Sequence, residues 1–139
     1  MTYLLDSGFL YGLLNDVDSH HERVVSASKN LEGTVYLPTI VTTEVAYSMT
    51  KYLGVGGLIA FLDILANPEQ FFTLVEPTHA DYERASQIVR QYNDSNIDFV
   101  DAVVVAIAER MKVTRILTVD QRHFRLFRPR HCTAFEILP

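Results

Sequence analysis

The stretch NIDFVDAVVVAIAERMKV, residues 96 to 113, sets two carboxylates three positions apart against a nearly unbroken apolar run. Its valines and isoleucines could belong to a strand, but its length, its alanines and its polar exit predict a helix. Asp98 then occupies the N-cap position and Asp101 lies in the first turn. A helix that is apolar nearly all round should be buried, so the charge of Asp101 needs an explanation.

Length and composition predict one compact domain over residues 1–139. The chain is 48% hydrophobic, enough to bury a core without covalent staples. Its one cysteine, Cys132, cannot form an internal disulfide, which favours a reducing compartment. The apolar amino terminus lacks a basic leader and carries Asp6, and the run LIAFLDILA is too short to cross a bilayer. We therefore expect a soluble cytoplasmic protein without a membrane span.

Apolar runs typical of strands alternate with helical patterns along the rest of the chain. The predicted strands are YLLD (3–6), TVYLP (34–38), FFTLVEP (71–77), RILTVD (115–120) and TAFEIL (133–138). The predicted helices are SGFLYGLLND (7–16), SHHERVVSASKNLE (19–32), PTIVTTEVAYSMTKYLG (38–54), GGLIAFLDILANP (56–68) and THADYERASQIVRQYND (78–94), the last with a capping box at Thr78 and Asp81. This alternation predicts an α/β fold with a mainly parallel sheet of four to five strands.

Three aspartates fall at one edge of that sheet. Asp6 and Asp120 end two predicted strands, and Asp101 opens the buried helix; Glu44 lies beside an apolar stripe and could lean toward the same cleft. Ligands bind at the carboxyl ends of the strands in such sheets. Converging carboxylates repel one another and raise their pKa values unless a cation sits among them. Oxygen ligands favour Mg²⁺ or Mn²⁺ over zinc.

Each acid also has an ordinary explanation. An aspartate between a strand and a helix is commonly an N-cap worth about 1 kcal/mol, which covers Asp6 and is the preferred interpretation of Asp98. The helix dipole favours an acid at Asp101. Glu44 could be a solvated helix residue, and Asp120 a turn former. The functional signal therefore lies in the set rather than in any one member.

Several short motifs together resemble the PIN-domain nucleases, in particular VapC-like toxins of toxin–antitoxin pairs. They are LLDSG at the start, TEVAYS in the first third, DFVDAVVVAIAER, and ILTVDQRHF followed by RPRH and ILP. The resemblance spans nearly the whole chain and implies a PIN-like three-layer α/β/α sandwich. It also implies a Mg²⁺- or Mn²⁺-dependent endoribonuclease that leaves a 5′-phosphate and a 3′-hydroxyl, acts as a dimer, and binds an antitoxin.

The resemblance assigns roles to particular positions. Asp6, Glu44, Asp101 and Asp120 match the acidic quartet of the family, and Asp98 matches an additional acid one turn earlier. In physical terms, such a set would hold one or two ions, with Asp6 and Asp101 as the main ligands. Two hydroxyl residues, Ser7 and Thr118, match supporting positions that could orient a carboxylate or a phosphate oxygen.

Basic residues are concentrated in one window although the net charge is −5. Seven of the twelve lysines and arginines lie between positions 110 and 130. Four residues there follow Asp120 and could hold an RNA backbone at the rim of the cleft: Arg122, His123, Arg125 and Arg128. Phe124 and Phe127 lie among them, and the sequence leaves packing under the loop and base stacking equally open.

Other features admit milder interpretations. Adjacent His20 and His21 point in different directions on a helix and predict a polar helix start rather than a metal site. LGVGGL lacks a lysine and a preceding strand, so it predicts a turn and not a phosphate loop. The apolar side chains of AYSMTKYL and LIAFLDILA could be ordinary core or could bind a partner.

Two alternatives to a ribonuclease remain. A phosphoacceptor domain of the receiver type also gathers aspartates at strand ends, but it needs an acidic pair after the first strand and a lysine after a late strand, and neither is found. The other alternative is a PIN-like scaffold that binds RNA or protein without cutting.

Overall fold

One parallel sheet of five strands organises the molecule. A computed structural model describes residues 1–139. The strands are β1 (Thr2–Leu5), β2 (Thr34–Pro38), β3 (Thr73–Val75), β4 (Arg115–Leu117) and β5 (Glu136–Leu138). The helices are α1 (Ser7–Leu14), α2 (His21–Ser28), α3 (Thr42–Ala66), α4 (His79–Gln91), α5 (Phe99–Met111) and α6 (Gln121–Leu126), with short 3₁₀ turns at Thr39–Val41 and Pro68–Gln70.

The strand order β3-β2-β1-β4-β5 explains where a ligand site can form. From β1 the chain moves outward through β2 to β3, then returns to place β4 on the other side of β1. Right-handed crossovers put the helices before and after this return on opposite faces of the sheet, which gives the predicted α/β/α sandwich. The order reverses between β1 and β4, and a crevice opens at the carboxyl ends of such neighbouring strands.

Helix α5 is the buried helix that the sequence predicts. Every residue from Asp101 to Ala108 is buried, and α4 packs along it. Asp98 caps the helix, because its Oδ1 accepts a hydrogen bond from the Asp101 amide at 2.8 Å. The preferred interpretation of Asp98 as a cap is therefore confirmed in its geometry.

The capping box of α4 is also confirmed. Thr78 Oγ1 accepts from the Asp81 amide at 3.2 Å, and Asp81 Oδ2 accepts from the Thr78 amide at 2.9 Å. Asp81 is almost fully buried and also binds Arg110 of α5 through a 3.0 Å contact to the guanidinium. The same side chain thus starts α4 and ties it to α5.

Two predicted helix boundaries are wrong by a few residues. Helix α2 ends at Ser28 instead of continuing to Gly33, because the chain leaves the helix over residues 29–33 to enter β2. Pro38 ends β2, as predicted, and pairs with Val75 of β3. It caps a 3₁₀ turn that leads into α3, so the α-helix itself begins at Thr42 instead of at Pro38. An edge or terminal strand position suits proline, whose missing N–H costs nothing there.

Helix α3 is divided at Gly54, as the sequence predicts. Gly54 has φ 70° and ψ −164°, a backbone conformation that residues other than glycine rarely adopt. By length and composition the helical stretch Thr39–Ala66 is apolar enough to cross a membrane. The break at Gly54 leaves two segments, each shorter than the roughly 20 residues that a span requires.

Candidate active site

Asp6 and Asp120 meet where β1 and β4 end side by side. The Asp6 amide donates to the Leu117 carbonyl at 2.9 Å and so extends the strand pairing by one residue. Thr118, which is fully buried, donates its hydroxyl proton to Asp6 Oδ2 at 2.8 Å and accepts from the Asp120 amide at 3.0 Å. One buried hydroxyl therefore fixes the Asp6 carboxylate and the turn that carries Asp120.

Asp101 enters the same crevice from the first turn of α5. Asp101 is only 5% exposed, because α5 is buried in the core from this residue to Ala108. Its Oδ2 lies 3.0 Å from His123 Nδ1, and the same nitrogen lies 3.2 Å from Asp120 Oδ2. The carboxylates of Asp101 and Asp120, far apart in sequence, thus converge on one imidazole.

The pKa of Asp101 is raised from its usual 3.8 to about 8. Burial is the largest cause, because a low-dielectric surrounding disfavours the charged form. Repulsion by the neighbouring acids adds to it, and these acids are Asp98, Asp6, Asp120 and Glu44. The mutual repulsion that the sequence predicts is therefore present.

Asp6 and Glu44 are perturbed in the same direction. Burial raises the pKa of Asp6, the Thr118 hydrogen bond partly offsets this, and repulsion from Asp120 and Asp98 adds to the rise. Burial also raises the pKa of Glu44. The Ser7 hydroxyl partly offsets this rise, and repulsion from Asp6 adds to it. Glu44 is thus electrostatically part of the acidic cluster, although it lies at its more open side.

The donor set suits a hard divalent cation. The metal-binding atoms of Asp101, Asp120 and His123 all lie within 4.8 Å of one another. Asp6 is linked to this group through the Thr118 hydroxyl, and no lysine or arginine neutralises either buried aspartate. A set of carboxylate oxygens with one imidazole nitrogen can hold a divalent cation.

A polar pocket adjoins the acidic cluster on the α1 and α3 side. It has a volume of about 400 Å³, and Ser7 and Glu44 line it together with Tyr11, Tyr47 and Ser48. Ser7, at the start of α1, is thus placed beside Glu44 rather than beside Asp120. The pocket leaves the Glu44 side of the cluster open to solvent.

The four predicted RNA contacts are placed differently from one another. Arg122 is exposed and makes no side-chain hydrogen bond or ion pair, whereas Arg125 binds Gln121 at 2.7 Å. Arg128 donates to the carbonyls of Arg125 and Phe127, so its guanidinium closes the end of α6. His123 turns into the acidic cluster instead of pointing outward.

The aromatic residues of this window pack into the core. Phe124 and Phe127 are 0% and 1% exposed, with ring centroids 5.9 Å apart. Phe124 also contacts Phe135 before β5. The packing interpretation is therefore correct for both rings, and neither is free to stack on a base.

Other basic residues, inside the window and outside it, hold elements together. Arg110 binds Asp81, and Arg115 binds Glu136 at 3.0 Å across β4 and β5. Glu109 accepts a bidentate pair from Arg84 at 2.6 and 3.2 Å and a third bond from the Arg130 amide. These partners lie far apart in sequence, and the charge count alone could not reveal them.

The contact of His123 with the acids is the main feature that sequence reasoning missed. The signal was present in the spacing Asp120-x-x-His123, because residues three apart at a helix start face the same side. By contrast, His21 Nδ1 donates to the Gly12 carbonyl at 2.7 Å, which agrees with the prediction that this histidine pair marks a polar helix start and not a metal site.

Comparisons with known proteins identify the family of this chain. Residues 3–128 match the family described as the PIN domain. The chain therefore belongs to the PIN domain family. It is 28% identical over 136 residues to Ribonuclease VapC26 of Mycobacterium tuberculosis, a match covering 98% of this chain and 99% of that protein.

Solved structures share the fold at low sequence identity. VapC20 of Mycobacterium tuberculosis, described as a Sarcin-Ricin loop cleaving toxin, superposes with a TM-score of 0.79 at 18% identity, covering 86% of this chain and 91% of the other. VapBC2 of Rickettsia felis, bound to a promoter DNA fragment, gives 0.70 at 17% identity over 100% of both chains. A toxin–antitoxin complex from Klebsiella pneumoniae gives 0.68 at 18% identity, covering 90% and 92%.

Proposed function

We propose that this chain is a divalent-metal-dependent endoribonuclease and the toxin of a toxin–antitoxin pair, with residues 1–139 forming one catalytic unit. The observation that carries the proposal is the convergence of buried Asp6 and Asp101 with Asp120 and Glu44 at the switch point of the sheet. Membership in the PIN family and the similarity to a protein named as a ribonuclease support it.

Asp101 and Asp120 would hold a Mg²⁺ or Mn²⁺ ion with Asp6, while Glu44 would complete the site directly or through water. When bound, such an ion supplies a water of lowered pKa and neutralises charge on the scissile phosphate and the leaving oxygen. Thr118 would keep the Asp6 carboxylate oriented through its 2.8 Å hydrogen bond, and Ser7, which lines the pocket beside Glu44, would help to orient that carboxylate. Asp98 acts chiefly by capping α5 and so fixing the direction of Asp101.

RNA would reach the carboxylates along the exposed rim of α6 and the polar pocket. Arg122 is free to pair with a phosphate, and Arg125 could exchange its Gln121 contact for one. Arg128 contributes positive potential while it closes α6. This attraction offsets the repulsion between the acidic cluster and the polymer.

Two apolar surfaces suit the protein partners that the relatives suggest. The first, which we call the α3 surface, consists of exposed Tyr47, Tyr52, Val55, Ile59 and Leu62. The second, the α4–α5 surface, consists of exposed Tyr82, Val89 and Phe99. We assign the α3 surface to a cognate antitoxin and the α4–α5 surface to a second copy of the chain; patches of this kind mark interaction sites.

The test is cleavage of structured RNAs by purified protein in Mg²⁺, in Mn²⁺ and in EDTA. Wild type should cut only with metal and leave 5′-phosphate ends. The cleavage rate of Asp101→Asn should be lower by a factor of about 100 or more. Asp63→Asn, the same change at an exposed position of α3, should cut normally. Cleavage that survives EDTA or Asp101→Asn would rule the proposal out, and RNA binding without cleavage would favour a scaffold.

A further inference from the structure

The imidazole of His123 faces inward in a way that RNA binding does not explain. His123 lies in the first turn of α6, three residues after Asp120, and its side chain is 24% exposed. Its Nδ1 approaches Asp101 Oδ2 and Asp120 Oδ2 at 3.0 and 3.2 Å. A ring that served only to attract phosphate would gain nothing from being held against two acids.

Helix α6 presents this ring from a fixed support. Phe124, the next residue, is fully buried, and Phe127 packs against it one turn later. Arg128 closes the carboxyl end of the helix with three carbonyl contacts. The backbone that carries His123 is therefore anchored in the core.

The two distances from His123 Nδ1 are those expected between neighbouring ligands on one ion. Donors bonded at about 2.1 Å to an octahedral cation lie about 3.0 Å apart when they occupy adjacent corners. The distances from Nδ1 to the two carboxylate oxygens, 3.0 and 3.2 Å, match this separation. A hydrogen shared between nitrogen and oxygen holds the same atoms together when no cation is bound.

We propose that His123 supplies its Nδ1 atom as a ligand to the divalent cation of this site, beside the carboxylate oxygens of Asp101 and Asp120. The inference rests on the proposed metal-dependent function and adds a nitrogen to a set otherwise made of oxygens. First-row transition ions, Mn²⁺ included, accept an imidazole nitrogen more readily than Mg²⁺ does, because Mg²⁺ prefers oxygen ligands. The site therefore prefers Mn²⁺ to Mg²⁺ more strongly than a purely oxygen site would.

Electron spin echo spectroscopy of Mn²⁺ bound to the protein reads this ligand directly. Wild type should show the ¹⁴N modulation of a coordinated imidazole, and protein grown with ¹⁵N-histidine should show ¹⁵N modulation in its place. This arm needs no mutation and so does not depend on the folding of a variant. Bound Mn²⁺ without nitrogen modulation would overturn the proposal.

Metal titrations of matched variants give the second readout. His123→Asn should raise the Kd for Mn²⁺ by about tenfold or more and the Kd for Mg²⁺ by a smaller factor, and it should abolish the nitrogen modulation. His79→Asn, at an exposed position at the start of α4, should change none of these quantities. Modulation that persists in His123→Asn, or equal losses for both ions, would refute the assignment.

The two proposals fail in different ways. If RNA cleavage requires metal and Asp101 but nitrogen modulation is missing, His123 is not a ligand and the ribonuclease assignment stands. If nitrogen modulation is present but cleavage ignores EDTA, the ligand assignment stands and the ribonuclease mechanism is wrong.

Discussion

The carboxyl group of Asp101 lies where burial and four neighbouring acids all disfavour its charge. A folded protein that holds this proton more tightly than the unfolded chain gains stability from it at low pH. That gain is complete below the usual pKa of 3.8 and is lost as the pH rises to about 8. Strain of this kind at a cleft is typical of functional sites, because a bound cation can relieve it.

We predict that the metal-free protein loses stability with rising pH because of Asp101. Its free energy of unfolding should fall by up to about 1.4 kcal/mol per pH unit across this window, and Asp101→Asn should flatten the dependence. Urea denaturation in EDTA at several pH values measures this. Asp63→Asn is the control, and parallel curves for wild type and Asp101→Asn would show that Asp101 does not carry the effect.

Thr118 should act through the acids that it positions. Thr118→Val removes the hydroxyl but keeps the shape, so Asp6 loses a 2.8 Å hydrogen bond and the Asp120 amide loses its acceptor. We expect a loss of about 1–3 kcal/mol in stability and about tenfold weaker Mn²⁺ binding. Thr118→Ser should restore both quantities in calorimetric titration and melting experiments; failure of serine to rescue would point to packing alone.

At the level of elements, α5 was predictable because its local signals agree. The apolar composition, the Asp98 cap and the polar exit all indicate a buried helix, and the capping box of α4 is equally local. The end of α2 was not predictable from local signals, because it depends on how residues 29–33 reach the sheet. The spacing of Asp120 and His123 indicates that they share one side of a helix. It does not reveal the contact with Asp101, because that contact depends on how Phe124 and Phe127 anchor α6 in the core.

Two variants of Asp98 separate its cap from any role as a ligand. Asp98→Ala should cost about 1 kcal/mol of stability, whereas Asp98→Ser keeps a capping oxygen and should cost a few tenths at most. If Asp98 is only a cap, Asp98→Ser should also bind Mn²⁺ as wild type does. Weaker Mn²⁺ binding by a stable Asp98→Ser protein would make Asp98 a ligand.

Glu109 should hold α4, α5 and the Arg130 segment together. Burial alone would raise the pKa of Glu109, but hydrogen bonds from Arg84 and the Arg130 backbone lower it overall. Its contribution to stability is therefore present above its usual pKa of 4.5 and is lost as the pH falls further. Glu109→Gln should cost about 2–4 kcal/mol at neutral pH in denaturant unfolding, and a cost that grows toward acid pH would contradict this account.

For the whole molecule, the order of the strands brings the acidic residues together, which the sequence could only suggest. Alternating elements predicted a parallel sheet, but not that β1 and β4 would be neighbours. That adjacency, set by long-range packing, brings Asp6 and Asp120 together and opens the crevice into which α5 directs Asp101. The composition of α3 likewise did not indicate which of its apolar side chains are buried. The structure shows that those of the α3 surface are exposed, because the core packs against other side chains of the helix.

The proposed dimer contact through the α4–α5 surface can be tested by introducing one charge. Val89 is 41% exposed on this surface, so Val89→Glu should turn a dimer into a monomer in sedimentation experiments without unfolding the chain. Val17→Glu, at a valine that is 82% exposed between α1 and α2, should leave the dimer intact. A wild-type protein that sediments as a monomer at micromolar concentration would remove this assignment.

The most direct test of the shared cation site is anomalous diffraction from crystals soaked in Mn²⁺. We predict a manganese peak within about 2.3 Å of carboxylate oxygens of both Asp101 and Asp120, close to Asp6. The same soak of Asp101→Asn crystals should give a much weaker peak or none. A wild-type map with no peak in this crevice, or with manganese bound only elsewhere, would contradict the claim that these acids are held together to share an ion.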